Sequence, residues 1–263
     1  MRLLIVAAVF LFSCSLAAQT PTSSASTPSS DPLAVSLARQ AVQALTAGQI
    51  VSDVTINANV TSIQGSMAQT GTAVFRAAGM GQSRVDLNLG GVTLSEARSA
   101  ASGTVAGTWN KNGGTPVAQA SHNLLTDASW FFPALSSLTQ VANLQCVFKY
   151  VGQEQHNGVN TQHIQVSLAP VSGAPLIQQQ SMMDFYLSAT NSLPVAIDFN
   201  VHPDKDIGRD IPVEILFANY QAVKGVQIPY HFQKLLNGGV ILDATVTSVN
   251  LNTGLAATAF SLP

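Results

Sequence analysis

Five histidines are the first residues of this chain with chemistry to offer: His122, His156, His163, His202 and His231. A zinc protease needs two of them at i and i+4 on one helix face, and a structural zinc site pairs them with closely spaced cysteines. Neither pattern occurs. His156 and His163 flank the dipeptide Asn157-Gly158, a hairpin signal that brings the two strands together. They read as solvated turn and strand histidines rather than as a metal site, and no metal or other cofactor is expected. The densest run of charge extends from Asp198 and His202 to Asp210. Within it Asp204, Asp206 and Asp210 occupy positions 1, 3 and 7 of a calcium loop. The match fails at position 6, which is Arg209 instead of glycine, and at position 12, which is Ile215 instead of glutamate. The run reads instead as a solvated loop with local Asp–Lys or Asp–Arg pairing. The serine-hydrolase elbow, the Walker loop and the dinucleotide-binding glycine loop are all missing. Cys146, in the apolar run Leu144–Phe148, reads as a small buried hydrophobe rather than a reactive thiol.

The informative side chains are apolar. Trp130-Phe131-Phe132, followed by Leu135 and Leu138, concentrates aromatic surface around Pro133, and Trp109 is the other tryptophan of this half. Two readings stay open: ordinary core packing, or the lining of a cavity for a hydrophobic ligand. Composition narrows the field. Only 9% of the 263 residues are charged and the formal net charge is −2, against roughly 25% charged in an ordinary soluble domain. A nucleic-acid partner held by a basic field is therefore excluded. So is disorder driven by charge, because 46% of the residues are hydrophobic.

The elements that must position these residues are legible from periodicity. Residues 1–18 carry the secretory pattern: Met1-Arg2, the apolar run Leu3–Phe12, then small residues up to Ala17-Ala18. The competing reading takes Leu11-Phe12-Ser13-Cys14 as a lipoprotein box with Cys14 lipidated, which would give access to a membrane surface. Removing the signal leaves Cys146 alone, so neither an internal disulfide nor a disulfide-linked partner is expected. Residues 19–30 form a Ser/Thr/Pro-rich flexible leader, and residues 31–263 are expected to be a single domain. Asp31-Pro32 opens a helix whose apolar face is read from Leu33, Leu37, Ala41 and Leu45, with Ala34, Ala38 and Val42 beside them and Gly48 placed to end it. From Ile50 the period changes to 2. Ten or more strands follow, joined by turns such as Gly79-Met80-Gly81, Gly90-Gly91 and Asn237-Gly238-Gly239. Residues 121–142 break that rhythm and, because of Pro133, predict two short helices. The fold class is α+β: an antiparallel sheet covered by an N-terminal helix and a short mid-chain helical pair.

The ending carries a resemblance. Tyr220 to Tyr230, with Gly225 and Pro229, the strand beyond it, Ala244 to Asn250, and the closing Phe260 to Pro263 resemble the LolA/LolB-like superfamily of periplasmic lipoprotein carriers and receptors. Tyr150 to Glu154, Gly158 and Asn191 to Pro194 are similar to its mid-chain strands. His122-Asn123 with Trp130 to Pro133 resembles uncharacterised secreted relatives. The resemblance implies an incomplete β-barrel, a curved antiparallel sheet lidded by helices around a cavity for acyl chains. It also implies an arginine that locks the lid, with Arg76, Arg84 and Arg98 as candidates. The expectation is an exported, non-enzymatic envelope protein that binds an acyl chain or a lipidated partner. It would be periplasmic or secreted, with an outer-membrane lipoprotein as the lesser reading. Its expected ligand-binding residues are Trp109, Trp130, Phe131, Phe132, Leu135 and Leu138. A second reading is a scaffold whose concavity is filled by its own side chains. A third is an enzyme built on His156, His163 and Glu154, which requires a histidine and a carboxylate to converge in one cleft with shifted titration.

Overall fold

The computed structural model describes residues 29–100 and 105–263. The secretory signal at 1–18, the lipidation site at Cys14 and the leader up to residue 28 lie outside the described residues.

Thirteen strands form one antiparallel sheet. The first group is β1 (Asp53–Gln64), β2 (Met67–Ala78), β3 (Gln82–Leu89), β4 (Val92–Ser99), β5 (Ala106–Lys111) and β6 (Val117–Ala118). The second is β7 (Cys146–His156), β8 (Val159–Leu168), β9 (Met183–Ser188), β10 (Pro194–Val201), β11 (Ile211–Val223), β12 (Val226–Leu236) and β13 (Gly239–Leu251). Each group is a meander of hairpins. Two-residue turns set the rhythm: at Asn157-Gly158 the φ angles are 49° and 79°, and at Asn237-Gly238 they are 50° and 74°. Positive φ at both positions is what a type I′ hairpin turn requires, and Asn-Gly reaches it with least strain. The two meanders are joined where β1 pairs with β13. The order across the sheet is β6-β5-β4-β3-β2-β1-β13-β12-β11-β10-β9-β8-β7. It is a curved sheet that does not close, and β6 and β7 are its two edges.

Alternate residues of each strand face one core on the concave side. Phe75, Phe185, Ile215 and Phe232 are fully buried there. Helix α1 (Pro32–Thr46) packs into this concavity, against β7, β8 and β12. The side chain of Asp31 accepts a hydrogen bond from the Leu33 N–H and Pro32 takes the first position, as expected. The buried face is narrower than the expected one, and Leu33 falls outside it. Ala34, Ala38, Ala41 and Leu45 have no exposed surface, while Leu33 is 49% exposed. A four-residue spacing advances by about 400° per step and so drifts by roughly 40° each time, which carries Leu33 off the face that holds Leu45. The alanines bring the helix backbone close to the sheet. The helix ends before Gly48, with Ala47 already left-handed at φ 48°.

The fold class stands, but its mid-chain helical pair takes another form. Residues 121–142 make three short 3₁₀ turns, Ser121–Leu124, Pro133–Leu135 and Ser137–Gln140. Because β6 and β7 are opposite edges, the chain between them must cross the whole sheet. Pro133 lacks a backbone N–H and crowds the preceding turn, which stops a helix from running through the middle of the segment. This crossover runs over the concave face, and its backbone is satisfied locally. Ser129 Oγ donates to the Leu135 carbonyl (2.8 Å), Ser136 Oγ donates to the Pro133 carbonyl (2.7 Å), and Asp127 Oδ2 accepts from the Ser137 N–H (2.7 Å).

Candidate functional site

Strand register places one row of side chains across the concave face: Ile56, Phe75, Val85, Glu96 and Trp109, on β1 to β5. The crossover lays its aromatic residues on this row. Phe75 lies 5.1 Å from Phe131 and 5.1 Å from Phe232, and Trp130 meets both Phe75 and Phe232 edge-on at 6.2 Å. Phe131, Phe132 and Leu138 are fully buried, and Leu135 is buried beside them. These four fill the middle of the concavity. Trp130 is different, because one side of its ring borders open space. Trp109 lies apart from the cluster on β5, 45% exposed, next to Glu96.

The open space is a cavity of about 390 Å³ at the end of the sheet near Gly65. Its walls are Ile63, Val85, Leu87, Leu94, Trp130, Ile241 and Leu242, and its charged members are Glu96 and Lys234. That volume is within the range of small-molecule sites. Lys234 Nζ sits 4.5 Å from the Trp130 ring centroid, a cation–π arrangement. Burial pulls the Lys234 ammonium below its ordinary range, and Arg98 adds to this while Glu96 opposes it. Burial pushes the Glu96 carboxyl up, but Lys234 and Arg98 hold it below its ordinary value. The two opposite charges thus influence each other across the lining of an apolar cavity, where the ion-pair partner of Glu96 is Arg98. Parity along the strands marks them: Leu94 with Glu96, and Phe232 with Lys234, share a face. An isolated charge at an inward position was the available signal.

Arg98 links this site to the crossover. Its Nη1 donates to the Thr126 carbonyl at 3.2 Å, and its Nε lies 3.7 Å from Glu96. Of the three arginines considered, it alone touches the crossover. Arg76 and Arg84 instead converge on Asp86 on the outer face, at 2.7 and 2.9 Å.

A second cluster lies on the outer face of β8 to β11, under the tip of the β7–β8 hairpin. Here the expectation of solvated histidines is corrected. His163 is only 8% exposed. Its Nδ1 lies 2.6 Å from Glu154 and its Nε2 2.7 Å from Asp184. Burial lowers the affinity of the ring for a proton, but Asp184 and then Glu154 outweigh it, so the His163 pKa is raised. His156 stacks on Tyr186 with the ring centroids 3.7 Å apart, and its Nε2 lies 2.8 Å from Glu214. The reason sequence missed this burial is the register shift between Tyr150 and Gly152, which lets the hairpin tip fold over the sheet. A histidine and carboxylates do converge, as an enzyme would require. Both nitrogens of His163 are engaged by carboxylates, however, which leaves none free to take a proton from a substrate. The 203–210 loop also departs from expectation. Among the described residues its ion pair is His202 with Asp210, at 2.9 Å, rather than an Asp with Lys205 or Arg209. Cys146 is buried, and burial followed by the neighbouring Asp127 raises its thiol pKa.

No family model matches this chain, and no curated protein matches it. Solved structures do share its fold. A domain from Vibrio parahaemolyticus assigned to outer-membrane lipoprotein sorting is 14% identical, with a TM-score of 0.55 over 86% of this chain and 95% of that one. A DUF1329 family protein from Desulfovibrio piger is 11% identical, with a TM-score of 0.53 over 87% and 96%. A LolA superfamily protein from Nitrosomonas europaea is 11% identical, with a TM-score of 0.51 over 87% and 97%. At these identities the likeness is one of fold, and it is the fold that the resemblance in sequence implied.

Proposed function

We propose that this protein is an exported, non-enzymatic binder of a hydrophobic ligand, an acyl chain or the lipid of a lipidated partner, held on the concave face of its sheet. The observation that carries this reading is the apolar cavity beside Trp130, with Glu96 and Lys234 as the charged residues of its lining. Seven apolar side chains make its walls, and the two charges give an amphipathic ligand a polar end to meet. The shared fold with a lipoprotein-sorting domain and a LolA superfamily protein supports the class of ligand. Trp130 is the one expected ligand residue at the cavity wall. Phe131, Phe132, Leu135 and Leu138 back it from the core, and Trp109 lies one strand further along the row that holds Glu96. The secretory pattern at 1–18 supports a periplasmic or secreted location, with 31–263 as the working domain.

The competing scaffold reading draws on the same crossover, because Phe131, Phe132 and Leu138 already fill the centre of the concavity. A titration with a fluorescent long-chain fatty acid separates the two. Saturable binding is expected, weakened at least about tenfold by Leu94→Gln, a half-exposed wall position, and by Trp130→Ala, with circular dichroism unchanged. Native mass spectrometry of protein purified from a bacterial envelope is expected to show the bound lipid directly. No saturable binding, or binding indifferent to both substitutions, would establish the filled scaffold instead.

A further inference from the structure

The outer-face cluster holds more negative charge than its partners balance. Asp184, Asp198 and Glu214 are direct cross-strand neighbours on β9, β10 and β11. Like charges directly opposite each other destabilise a sheet. Among the described residues no lysine or arginine pairs with any of the three; their ion-pair partners are His163 and His156. Asp198 Oδ1 is buried and has no hydrogen-bond partner. Burial, followed by repulsion from Glu214, pushes the Asp198 carboxyl up to about 6. A depression of about 390 Å³ bounded by Asp184, Asp198, Asp210 and Glu214 gives access from solvent.

His156 completes the arrangement from the hairpin tip. Stacking on Tyr186, at an interplanar angle of 18°, holds its ring plane while Nε2 points at Glu214. Asn157 Nδ2 donates to the same Glu214 oxygen at 2.9 Å, which pins the tip where His156 needs it. One donor atom from each of His156, Asp198 and Glu214 lies within 4.8 Å of the other two.

We propose that His156, Asp198 and Glu214 form a binding site for one divalent first-row transition-metal ion, zinc by the match of donors. One imidazole nitrogen with two carboxylate oxygens suits zinc and its neighbours rather than calcium or magnesium, which prefer oxygen alone. Ligand atoms around tetrahedral zinc stand about 3.3 Å apart at bond lengths near 2.0–2.1 Å. His156 Nε2 and Glu214, now 2.8 Å apart in a hydrogen bond, open by about 0.5 Å to that spacing, Asp198 adjusts from within 4.8 Å, and a water takes the fourth position. The ion supplies the partner that Asp198 Oδ1 lacks, and its charge offsets the row of carboxylates. It also ties β7 to β10 and β11, so the hairpin tip is locked to the sheet by metal. The site is on the opposite face from the apolar cavity and does not depend on it.

Calorimetric titration of chelator-treated protein with zinc chloride tests this. One ion per chain is expected, with a higher melting temperature in zinc. His156→Phe keeps a ring to stack on Tyr186 but removes the nitrogen donor, and Asp198→Asn keeps the shape but removes the charge. Each is expected to weaken zinc binding at least about tenfold, while His231→Gln, on another part of the sheet, leaves it unchanged. Cobalt in place of zinc is expected to give visible absorption of tetrahedral strength, which both substitutions abolish. The proposal is overturned if the wild-type protein takes up no zinc, if both variants bind as well as wild type, or if only calcium binds. A variant that has lost its circular-dichroism signal is replaced by Glu214→Gln, for which the same loss is expected.

Discussion

Asp127 shows how a single buried carboxyl ties the crossover to pH. It belongs to the crossover, where burial pushes its pKa up to about 6, against the Ser137 N–H and the Arg98 guanidinium, which hold it down. Cys146 is its other ionisable neighbour. A carboxyl whose pKa is higher folded than unfolded binds its proton more tightly in the native state. Its contribution to stability is therefore full at low pH and is lost as pH rises from about 4 to about 6. Asp127→Asn keeps an acceptor for Ser137 without the charge. Urea denaturation at matched pH is expected to show the loss of stability across this window shrinking by up to about 3 kcal/mol in the variant. Asp198, whose carboxyl is also raised, titrates alike in both proteins and cancels. Parallel pH profiles for wild type and variant would show that Asp127 is not the group responsible.

At the scale of elements, strand pairing is held by close backbone approach as much as by side chains. Gly71, inside β2, lies opposite Val60 on β1 and Leu89 on β3. A Cβ built at Gly71 would run into the Asn88 carbonyl oxygen, which is backbone and has nowhere to move. A glycine within a strand pattern signals such an approach. Gly71→Ala is expected to lower unfolding free energy by on the order of 2–4 kcal/mol, read from chemical denaturation. A loss within about 0.5 kcal/mol would mean that the β2–β3 pair can separate without strain. The start of β1 is fastened by Asp53, which accepts hydrogen bonds from Thr253 and Gly254. Burial raises the Asp53 pKa, but these bonds outweigh it and hold it below its ordinary value.

Across the whole molecule, the crossover decides how much of the concavity is core and how much is cavity. Phe131 is fully enclosed, Trp130 borders the cavity and Trp109 is 45% exposed. Truncation to alanine is expected to follow that order. Phe131→Ala should cost about 3–5 kcal/mol, Trp130→Ala less, and Trp109→Ala below about 1 kcal/mol, by denaturation of the unliganded protein. A cost at Trp109 equal to that at Phe131 would show a core extending over β5. The open edge at β7 is covered by the chain entering α1: Asp31 N–H donates to the Phe148 carbonyl at 2.7 Å, and Phe148 N–H donates to Ser30 Oγ at 3.1 Å. An edge strand left bare invites pairing with another chain, so this cover guards against association.

The sequence by itself determined the strands, their turns and the start of the first helix. A period of 2, Asn-Gly turns and the Asp31-Pro32 cap follow from local sterics and hydrogen bonding, and these act within a few residues. Glu96 and Lys234 share strand parity with Leu94 and Phe232, a signal that marks inward charges but says nothing of what they meet. Tertiary structure alone decided which strands are neighbours. The pairing of β1 with β13 puts β6 and β7 at opposite edges, and residues 121–142 connect them over the concave face as 3₁₀ turns instead of helices. It also decided that His156 meets Glu214, 58 residues away, and that Asp198 lies between Asp184 and Glu214 in the row. Periodicity specifies a face but carries no information about strand order or curvature. Those are set by the non-local burial of Phe131, Phe132 and their partners in one concave core.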